Sequence, residues 1–101
     1  MVVGGVLITK ALTADAQIKG KVFLEGANMD GGSWMKPLEA DVSVQRLDKI
    51  ATAFTIHTES DGTFVLSLRP GKYEIQVDTD TKTLTVKAGQ TYLLEFVLYI
   101  P

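Results

Sequence analysis

Apolar residues recur at every second position along most of this chain. Ile18 and Val22 alternate with Lys19 and Lys21, and the same spacing continues toward the C-terminus. A period of two is typical of a β-strand with one buried and one solvated face. The pattern predicts seven strands, whose inward residues are Ile18, Val22 and Leu24; Ala40, Val42 and Val44; Phe54 and Ile56; Phe64, Leu66 and Leu68; Tyr73, Ile75 and Val77; Leu84 and Val86; and a last run from Tyr92 to Ile100 that is apolar on both faces.

Turn-forming residues separate these runs. Asp61 and Gly62 predict a tight hairpin turn, because both residues tolerate the positive φ that such turns require. Pro70 and Gly71 predict a second turn, with Gly71 in the left-handed third position. Gly89 marks a further turn before the last strand. These elements predict an all-β fold, a seven- to eight-stranded Greek-key β-sandwich, whose eighth strand would come from the N-terminus.

The N-terminal segment is apolar and is predicted to form that additional strand. No basic residue precedes this apolar run from Val2 to Leu12, the run contains Gly4 and Gly5, and Lys10 interrupts it, so it makes no convincing signal peptide. It is also too short to span a bilayer. We therefore divide the chain into residues 1–16, an apolar strand and connector, and residues 17–101, the sandwich. The strand has two alternatives, pairing within its own sandwich or addition to a neighbour's edge.

Composition narrows the classes of function. The chain has 101 residues, 46% hydrophobic and 22% charged, a net charge of −2 and no cysteine, which fits one globular domain. Without cysteine, thiolate nucleophiles, zinc ribbons and disulfides are excluded. Twelve acidic residues outnumber ten basic ones, so no basic stripe is present to neutralise phosphates and nucleic acid is not expected as a partner.

Candidate catalytic and metal-ligating residues are few. His57 is the sole histidine and lies on the polar side of its predicted strand without a predicted partner, so we expect a solvated surface residue. Residues 28–31 and 78–80 each echo part of a calcium loop, but they supply fewer oxygens than the six to eight that calcium takes. We therefore expect no catalytic residue, no cofactor and no metal site.

Four spaced blocks of turn and core residues stand out along the chain: Gly20-x-Val22, Pro37-Leu38-x-Ala40-x-Val42-x-Val44, Thr58-Glu59-Ser60-Asp61-Gly62-Thr63-Phe64 and Pro70-Gly71-Lys72-Tyr73-x-Ile75-x-Val77. In this order they resemble the carboxypeptidase regulatory-like domain, a family of transthyretin-like (prealbumin-like) sandwiches related in form to immunoglobulin-like ones. The resemblance covers about residues 17–100. Two differences are Glu39, where the family usually has glycine before Ala40, and an expanded loop between Gly26 and Pro37.

The resemblance implies a non-catalytic accessory module, usually outside the cytoplasm or exposed at a surface. It also allows a catalytic relative to be tested. The transthyretin-like hydroxyisourate hydrolases use several histidines and a C-terminal Tyr-Arg-Gly-Ser signature, whereas this chain has one histidine and ends Tyr99-Ile100-Pro101. We therefore expect no hydrolase activity of that kind.

Two groups of apolar residues are left over as candidates for binding. Met29, Trp34 and Met35 lie in the glycine-rich stretch from Gly26 to Pro37 and form a candidate ligand loop, with carbohydrate as its ligand. The alternative is that they fold back over an open end of the sandwich. The second group is the larger one and predicts an interface: Phe23, Val65, Leu93, Val97 and Tyr99 on a face that should be polar, and Val2, Val3, Val6, Leu7 and Ile8 in the N-terminal segment.

These residues predict a structural or interaction module rather than an enzyme. Its expected partner is a protein, either a second copy of the chain or a larger assembly such as a filament, appendage or envelope complex, reached by strand addition and the apolar outer face. The alternative is a carbohydrate- or ligand-binding sandwich that uses Trp34.

Overall fold

The computed structural model describes residues 15–100, which form an all-β structure of eight strands. The predicted N-terminal strand, with Val2, Val3, Val6, Leu7 and Ile8, lies outside the described residues. No helix capable of crossing a membrane occurs within residues 15–100. The strands are β1 (Ala16–Ala27), β2 (Ser33–Pro37), β3 (Asp41–Arg46), β4 (Phe54–His57), β5 (Thr63–Leu68), β6 (Gly71–Val77), β7 (Asp80–Val86) and β8 (Thr91–Tyr99).

The strands form two four-stranded sheets. In the first, here called the β1 sheet, β8 runs parallel to β1 along residues 17–25. On the opposite edge of β1, β5 pairs with residues 16–21 and β2 with residues 23–27, both antiparallel. The second, the β3 sheet, has the antiparallel order β4-β3-β6-β7. The predicted all-β sandwich is therefore confirmed.

The core lies between the sheets and consists of the alternating residues that the sequence pattern marks as inward. Ile18, Val42, Ile75 and Phe96 are fully buried, and Phe96 packs against Phe64 with ring centroids 6.1 Å apart. Both rings lie on the inner face of the β1 sheet, since β5 and β8 both pair with β1. Close packing of the inner faces is what a sandwich of two sheets requires. The full set of buried apolar residues is Ala16, Ile18, Val22, Val42, Val44, Phe64, Leu66, Leu68, Tyr73, Ile75, Val77, Val86 and Phe96.

One residue predicted to face the core is exposed. Phe54 pairs with Val44 at the start of β4, but 43% of its surface remains exposed. β4 is a four-residue edge strand, so the side chain at its end has neighbours on one side only. Alternation predicted the direction of this side chain but not how much of it would be covered.

The stretch from Gly26 to Pro37 was predicted as a loop, and this is wrong for its second half. Ser33–Pro37 is strand β2, which forms a hairpin with the C-terminal half of β1. The turn is held by the Asn28 amide, which donates to the Gly32 carbonyl at 2.7 Å. β2 was missed because four of its five residues are exposed, so no buried face gives it a period-two signal.

The predicted turn at Asp61 and Gly62 forms, but it does not make a hairpin within one sheet. Gly62 has a φ of 80°, and the Asp61 carboxylate accepts bonds from the Thr63 amide and hydroxyl at 3.0 and 2.6 Å. These bonds hold the pKa of Asp61 below its usual range. However, β4 belongs to the β3 sheet and β5 to the β1 sheet, so the chain crosses between sheets here.

The turn at Pro70 and Gly71 also joins the two sheets, and the prediction for Gly71 is wrong. Gly71 is the first residue of β6 and has no positive φ. Its lack of a side chain instead makes room for Arg46, because an added Cβ would lie 2.5 Å from the guanidinium Nη2. Arg46 donates to the Pro70 carbonyl at 2.8 Å and to the Asp48 carboxylate at 2.7 Å. The predicted turn at Gly89 does have a left-handed residue, with a φ of 73°.

Candidate functional site

The outer face of the β1 sheet carries the apolar residues that were predicted as an interface. The strand register places Leu93, Lys19 and Val65 in one row across β8, β1 and β5. A second row contains Val97, Phe23 and Pro37, and a third contains Tyr99, Glu25 and Met35. The five predicted residues Phe23, Val65, Leu93, Val97 and Tyr99 therefore share one face, which we call the apolar face.

The apolar face is open to solvent. Leu93 is 78% exposed, Tyr99 70% and Val65 61%, while Phe23 and Val97 are half-buried. Phe23 is flanked by Lys21, whose Nζ lies 5.3 Å from the ring centroid. Lys19, Lys21 and Glu25 of β1 lie among these apolar side chains. Several exposed apolar side chains on one face of a small domain, with charged residues among them, are typical of an association surface. Met35 and Pro37 from β2 extend this face, and sequence analysis missed their contribution because β2 was not predicted.

The face ends at an open strand edge. Within residues 15–100, β8 pairs with β1 alone. The Ile100 amide donates to the Glu25 carbonyl of β1, whereas the Val97 amide points away from β1 and donates to the Asp80 carboxylate at 3.1 Å. Alternate residues of a strand direct their backbone groups to opposite edges, so the amides of Leu93 and Glu95 also point outward.

A groove follows this edge between β8 and β7. Asp80 lies in it, with its Oδ1 4.0 Å from the Lys82 Nζ, and Lys82 in turn lies 5.3 Å from the centroid of the Phe96 ring. The groove has a volume of about 400 Å³ and combines polar side chains of β7 with the outward side of β8. Its lining residues are Thr79, Asp80, Lys82, Glu95, Val97 and Tyr99.

His57 lies on the other sheet and, contrary to prediction, has two partners. Its Nδ1 lies 2.6 Å from Asp41 Oδ1 and its Nε2 lies 2.6 Å from Glu39 Oε2. Asp41 is directly opposite His57 in the β3–β4 ladder. Sequence analysis missed the pair because the pairing of β3 with β4 was not known. The one feature of the sequence that could have indicated a partner for His57 is Glu39, an acidic residue at a position where the family that the chain resembles usually has glycine.

The two carboxylates favour a protonated imidazole. A neutral ring can donate only one of the two hydrogen bonds, whereas the imidazolium donates both. The bond to Asp41, followed by the bond to Glu39, raises the pKa of His57. The carboxylates bind opposite ring nitrogens and do not converge on one point. Among residues 15–100 no group of three or more histidine, cysteine or acidic side chains is placed to hold a metal ion.

The three residues of the candidate ligand loop do not form one cluster. Met29 is fully exposed in the turn between β1 and β2, and Met35 points to the same side as the apolar face. Trp34 points to the opposite side, where it is half-buried over Gly26. An added Cβ on Gly26 would lie 2.3 Å from the Trp34 ring. The Nζ of Lys36 lies 5.4 Å from the ring centroid.

Comparison with known proteins adds little to this site. No family model matches the chain, and no curated protein matches it. A DUF3823 family protein from Bacteroides ovatus is similar in structure at 17% identity and a TM-score of 0.48, over 80% of this chain and 43% of that one. An (S)-allantoin synthase is similar at 18% identity and a TM-score of 0.47, over 94% of this chain and 45% of that one. The chain thus spans less than half the length of either protein.

Proposed function

We propose that this protein is a non-catalytic structural or interaction module that self-associates or docks into a larger assembly. The observation that supports the proposal best is the apolar face, which lies directly beside the edge of β8 that is unpaired within residues 15–100. Burying a face of this kind against a partner is favourable by about 25 cal/mol for each Å² of apolar surface removed from water. Because the apolar face and the edge of β8 belong to the same sheet, one partner could bind to both.

The charges on this face favour a second copy of the chain as the partner. Lys19 and Lys21 lie near one end of β1 and Glu25 near the other, with Phe23 between them. In a two-fold arrangement that stacks two such faces with their β1 strands antiparallel, Phe23 meets its counterpart and each Lys21 faces Glu25 of the other copy. A two-fold interface brings the same patch together on both copies, so this self-complementary order suits it.

The test is the mass of the protein in solution across a range of concentrations. The double variant Val65→Lys with Tyr99→Lys places charges at two exposed positions on the apolar face without touching the core. The matched control is Met29→Lys with Ile50→Lys, which changes two fully exposed apolar residues away from that face. We expect the unchanged protein and the control to associate, and the Val65/Tyr99 variant to be monomeric or at least about tenfold weaker in association.

A monomeric unchanged protein at all concentrations would contradict self-association, and failure to enter a larger assembly in its native setting would then contradict docking as well. Equal association of the two double variants would show that the apolar face is not the contact. Far-ultraviolet circular dichroism checks that both variants keep the β fold.

We also propose that the sandwich is related to carboxypeptidase regulatory-like domains and acts outside the cytoplasm or at a surface. In support, the four resembling blocks fall at the middle of β1, the start of β3 and the connections on both sides of β5. Detection of the protein in surface or extracytoplasmic fractions is the corresponding test.

Carbohydrate binding at Trp34 is the weaker alternative. A flat sugar platform needs an open ring face, whereas Trp34 packs over Gly26 and has the Lys36 ammonium near its ring. Glycan binding that is lost in Trp34→Ala would support this alternative, and no binding across a broad glycan panel would contradict it.

A further inference from the structure

The outer edge of β5 is a second place where a strand can be added to the β1 sheet. We propose that β5 of one copy pairs antiparallel with β5 of a second copy, across a two-fold axis at Leu66, so that the two β1 sheets become continuous. This inference rests on the proposed function, which supplies a second copy of the chain as the partner. It adds a contact that is separate from the apolar face.

The hydrogen bonds before β5 show which of its backbone groups point away from β1. The Gly62 carbonyl accepts from β1 at 2.9 Å. Thr63 points the other way, because its carbonyl accepts from the Glu59 amide at 2.8 Å. The direction alternates along an antiparallel strand, so the amides and carbonyls of Val65 and Ser67 also point away from β1. Within residues 15–100 these groups have no hydrogen-bond partner.

The composition of β5 also differs from that of the other edge strands. Strands β2, β4, β7 and β8 contain Lys36, His57, Lys82 and Glu95, respectively. Among the strands at a sheet edge within residues 15–100, β5 alone has no charged residue, histidine or proline. Charged side chains and prolines discourage pairing with another chain, so β5 has the edge that is best suited to pairing.

The turn before β5 determines the register of the pairing. The carbonyl of Thr63 is bonded to Glu59 and its amide to Asp61, so Val65 and Ser67 are the outward residues of β5 that remain. Two antiparallel copies satisfy both residues when Val65 exchanges its backbone hydrogen bonds with Ser67 of the second copy. A shift in either direction takes one of them opposite Thr63, beyond the end of β5 or opposite a residue bonded to β1. The register is thus self-complementary, as a two-fold contact requires.

The charges at the two ends of β5 suit the same register. Arg69 follows β5, is exposed and forms no salt bridge within residues 15–100. The register places Arg69 opposite Thr63 of the second copy, where Glu59 is bonded. Glu59 and Asp61 are exposed acidic residues of that turn. Each Arg69 would therefore face an acidic turn of the other copy, and this complementarity favours a second copy of the chain over an unrelated strand.

Pairing of the two β5 strands would keep the core and the apolar face on their present sides. Residues directly opposite in an antiparallel ladder point to the same side, so Leu66 of both copies stays inward and Val65 stays outward. The apolar faces of the two copies would lie side by side and remain free to stack on further copies. Two separate two-fold contacts would connect more than two copies into one assembly.

Disulfide formation between two different variants tests the register. The sequence has no cysteine, so each variant carries a single thiol. In an equal mixture of Val65→Cys and Ser67→Cys, the two thiols would lie directly opposite, with the Cα atoms about 5.5 Å apart. In either variant alone, they would be staggered beyond the about 7 Å that a disulfide spans. A mixture of Ser67→Cys with Leu93→Cys, on β8 at the opposite edge of the face, is the control.

We expect the Val65→Cys and Ser67→Cys mixture to cross-link at least about tenfold faster than either variant alone and than the control mixture. Equal rates in the mixture and in the single variants would overturn the register, and equal rates in the two mixtures would overturn the pairing of β5.

Amide hydrogen exchange tests whether a second copy covers the edge. Ser67→Pro removes an outward amide without removing a bond to β1, and Ser67→Ala, which keeps the amide, is the matched control. Exchange at Val65 should be at least about tenfold slower at high than at low concentration in the unchanged protein and in Ser67→Ala. It should not depend on concentration in Ser67→Pro.

Two outcomes of the exchange measurement would overturn the inference. Slow exchange at Val65 at every concentration would show that the edge is covered within one copy. Rapid exchange at every concentration would show that nothing covers it.

The inference and the proposed function fail differently. Leu93→Lys/Tyr99→Lys places charges on the apolar face and leaves β5 unchanged. If this variant associates as strongly as the unchanged protein and still supports cross-linking between Val65→Cys and Ser67→Cys, the apolar face is overturned as a contact and the pairing of β5 stands. If the unchanged protein associates, this variant does not and no cross-link forms through β5, the apolar face stands and the inference is overturned.

Discussion

The outer faces of the two sheets differ in composition although their strands share the same period: one is polar throughout and the other is mixed, with five large apolar residues. On the β3 sheet, the outward residues are all polar: Asp41, Ser43, Gln45, Thr55, His57, Lys72, Glu74, Gln76, Thr81, Thr83 and Thr85. On the β1 sheet, the outward positions hold the apolar residues Phe23, Val65, Leu93, Val97 and Tyr99 together with polar ones, among them Lys19, Lys21, Glu25 and Glu95. The difference shows that alternation identifies the side that must be buried, whereas the composition of the other side indicates whether it meets water or a partner.

The sheet edges differ in the same way. β4 has four residues and ends at the charged cluster around His57, and β7 carries Lys82 among threonines. Short edges and lysines are features that discourage strand addition. β8 has nine residues, three apolar outward side chains (Leu93, Val97 and Tyr99) and one outward amide bonded by Asp80. Within residues 15–100, the β3 sheet is therefore protected at both edges, whereas the β1 sheet is unpaired along β8.

The largest loss of stability is expected for a substitution in the core between the two sheets. Phe96→Ala removes a fully buried ring, and we expect it to lower the free energy of unfolding by about 3–5 kcal/mol. Leu93→Ala, on the same strand but pointing outward, should change it by less than about 0.5 kcal/mol in the monomer. Urea denaturation at low protein concentration measures both. Similar losses for the two variants would mean that β8 does not divide into a core side and an outer side.

A smaller loss of stability is expected for a substitution at Gly20, where β1 lies against the Phe64 ring. An added Cβ at Gly20 would lie 2.1 Å from the Phe64 ring, so Gly20→Ala should lower the free energy of unfolding by about 1–3 kcal/mol. Gly32→Ala is the control, because its Cβ would meet only exposed side chains at 3.3 Å. Thermal unfolding followed by circular dichroism compares them. A neutral Gly20→Ala would show that Phe64 can move without loss.

The smallest change in stability is expected from His57, on the outer face of the β3 sheet. Because the pKa of His57 is raised in the folded state, its bonds to Asp41 and Glu39 contribute fully below its ordinary pKa. This contribution is lost as pH rises through the folded value. The denaturation midpoint of the unchanged protein, relative to His57→Gln, should therefore be higher at about pH 5.5 than at about pH 8.5, on either side of the ordinary value of about 6.5.

Asp41→Asn provides the control for that measurement, because it keeps the shape of the partner and removes its charge. The difference between the two pH values should shrink in this variant. A pH dependence of the opposite sign would contradict the arrangement around His57.

The sequence predicted the parts of the fold that repeat locally. Seven of the eight described strands and the left-handed turn at Gly62 follow from alternation and from glycine chemistry. It failed at β2, where exposed residues leave no period. It also failed at Gly71, because the role of that glycine depends on Arg46, which is distant along the chain. The five residues of the apolar face could be predicted because parity along each strand fixes the side.

What the sequence determined by itself is thus which side chains face inward and which outward, since the pleat imposes a period of two on every strand. Only the tertiary structure decided which strands are neighbours. It placed β4 and β5 in different sheets, brought Glu39 and Asp41 to His57, and left the edge of β8 unpaired within the described residues. Pairing between strands depends on contacts that are remote in sequence, and a local pattern carries no information about them.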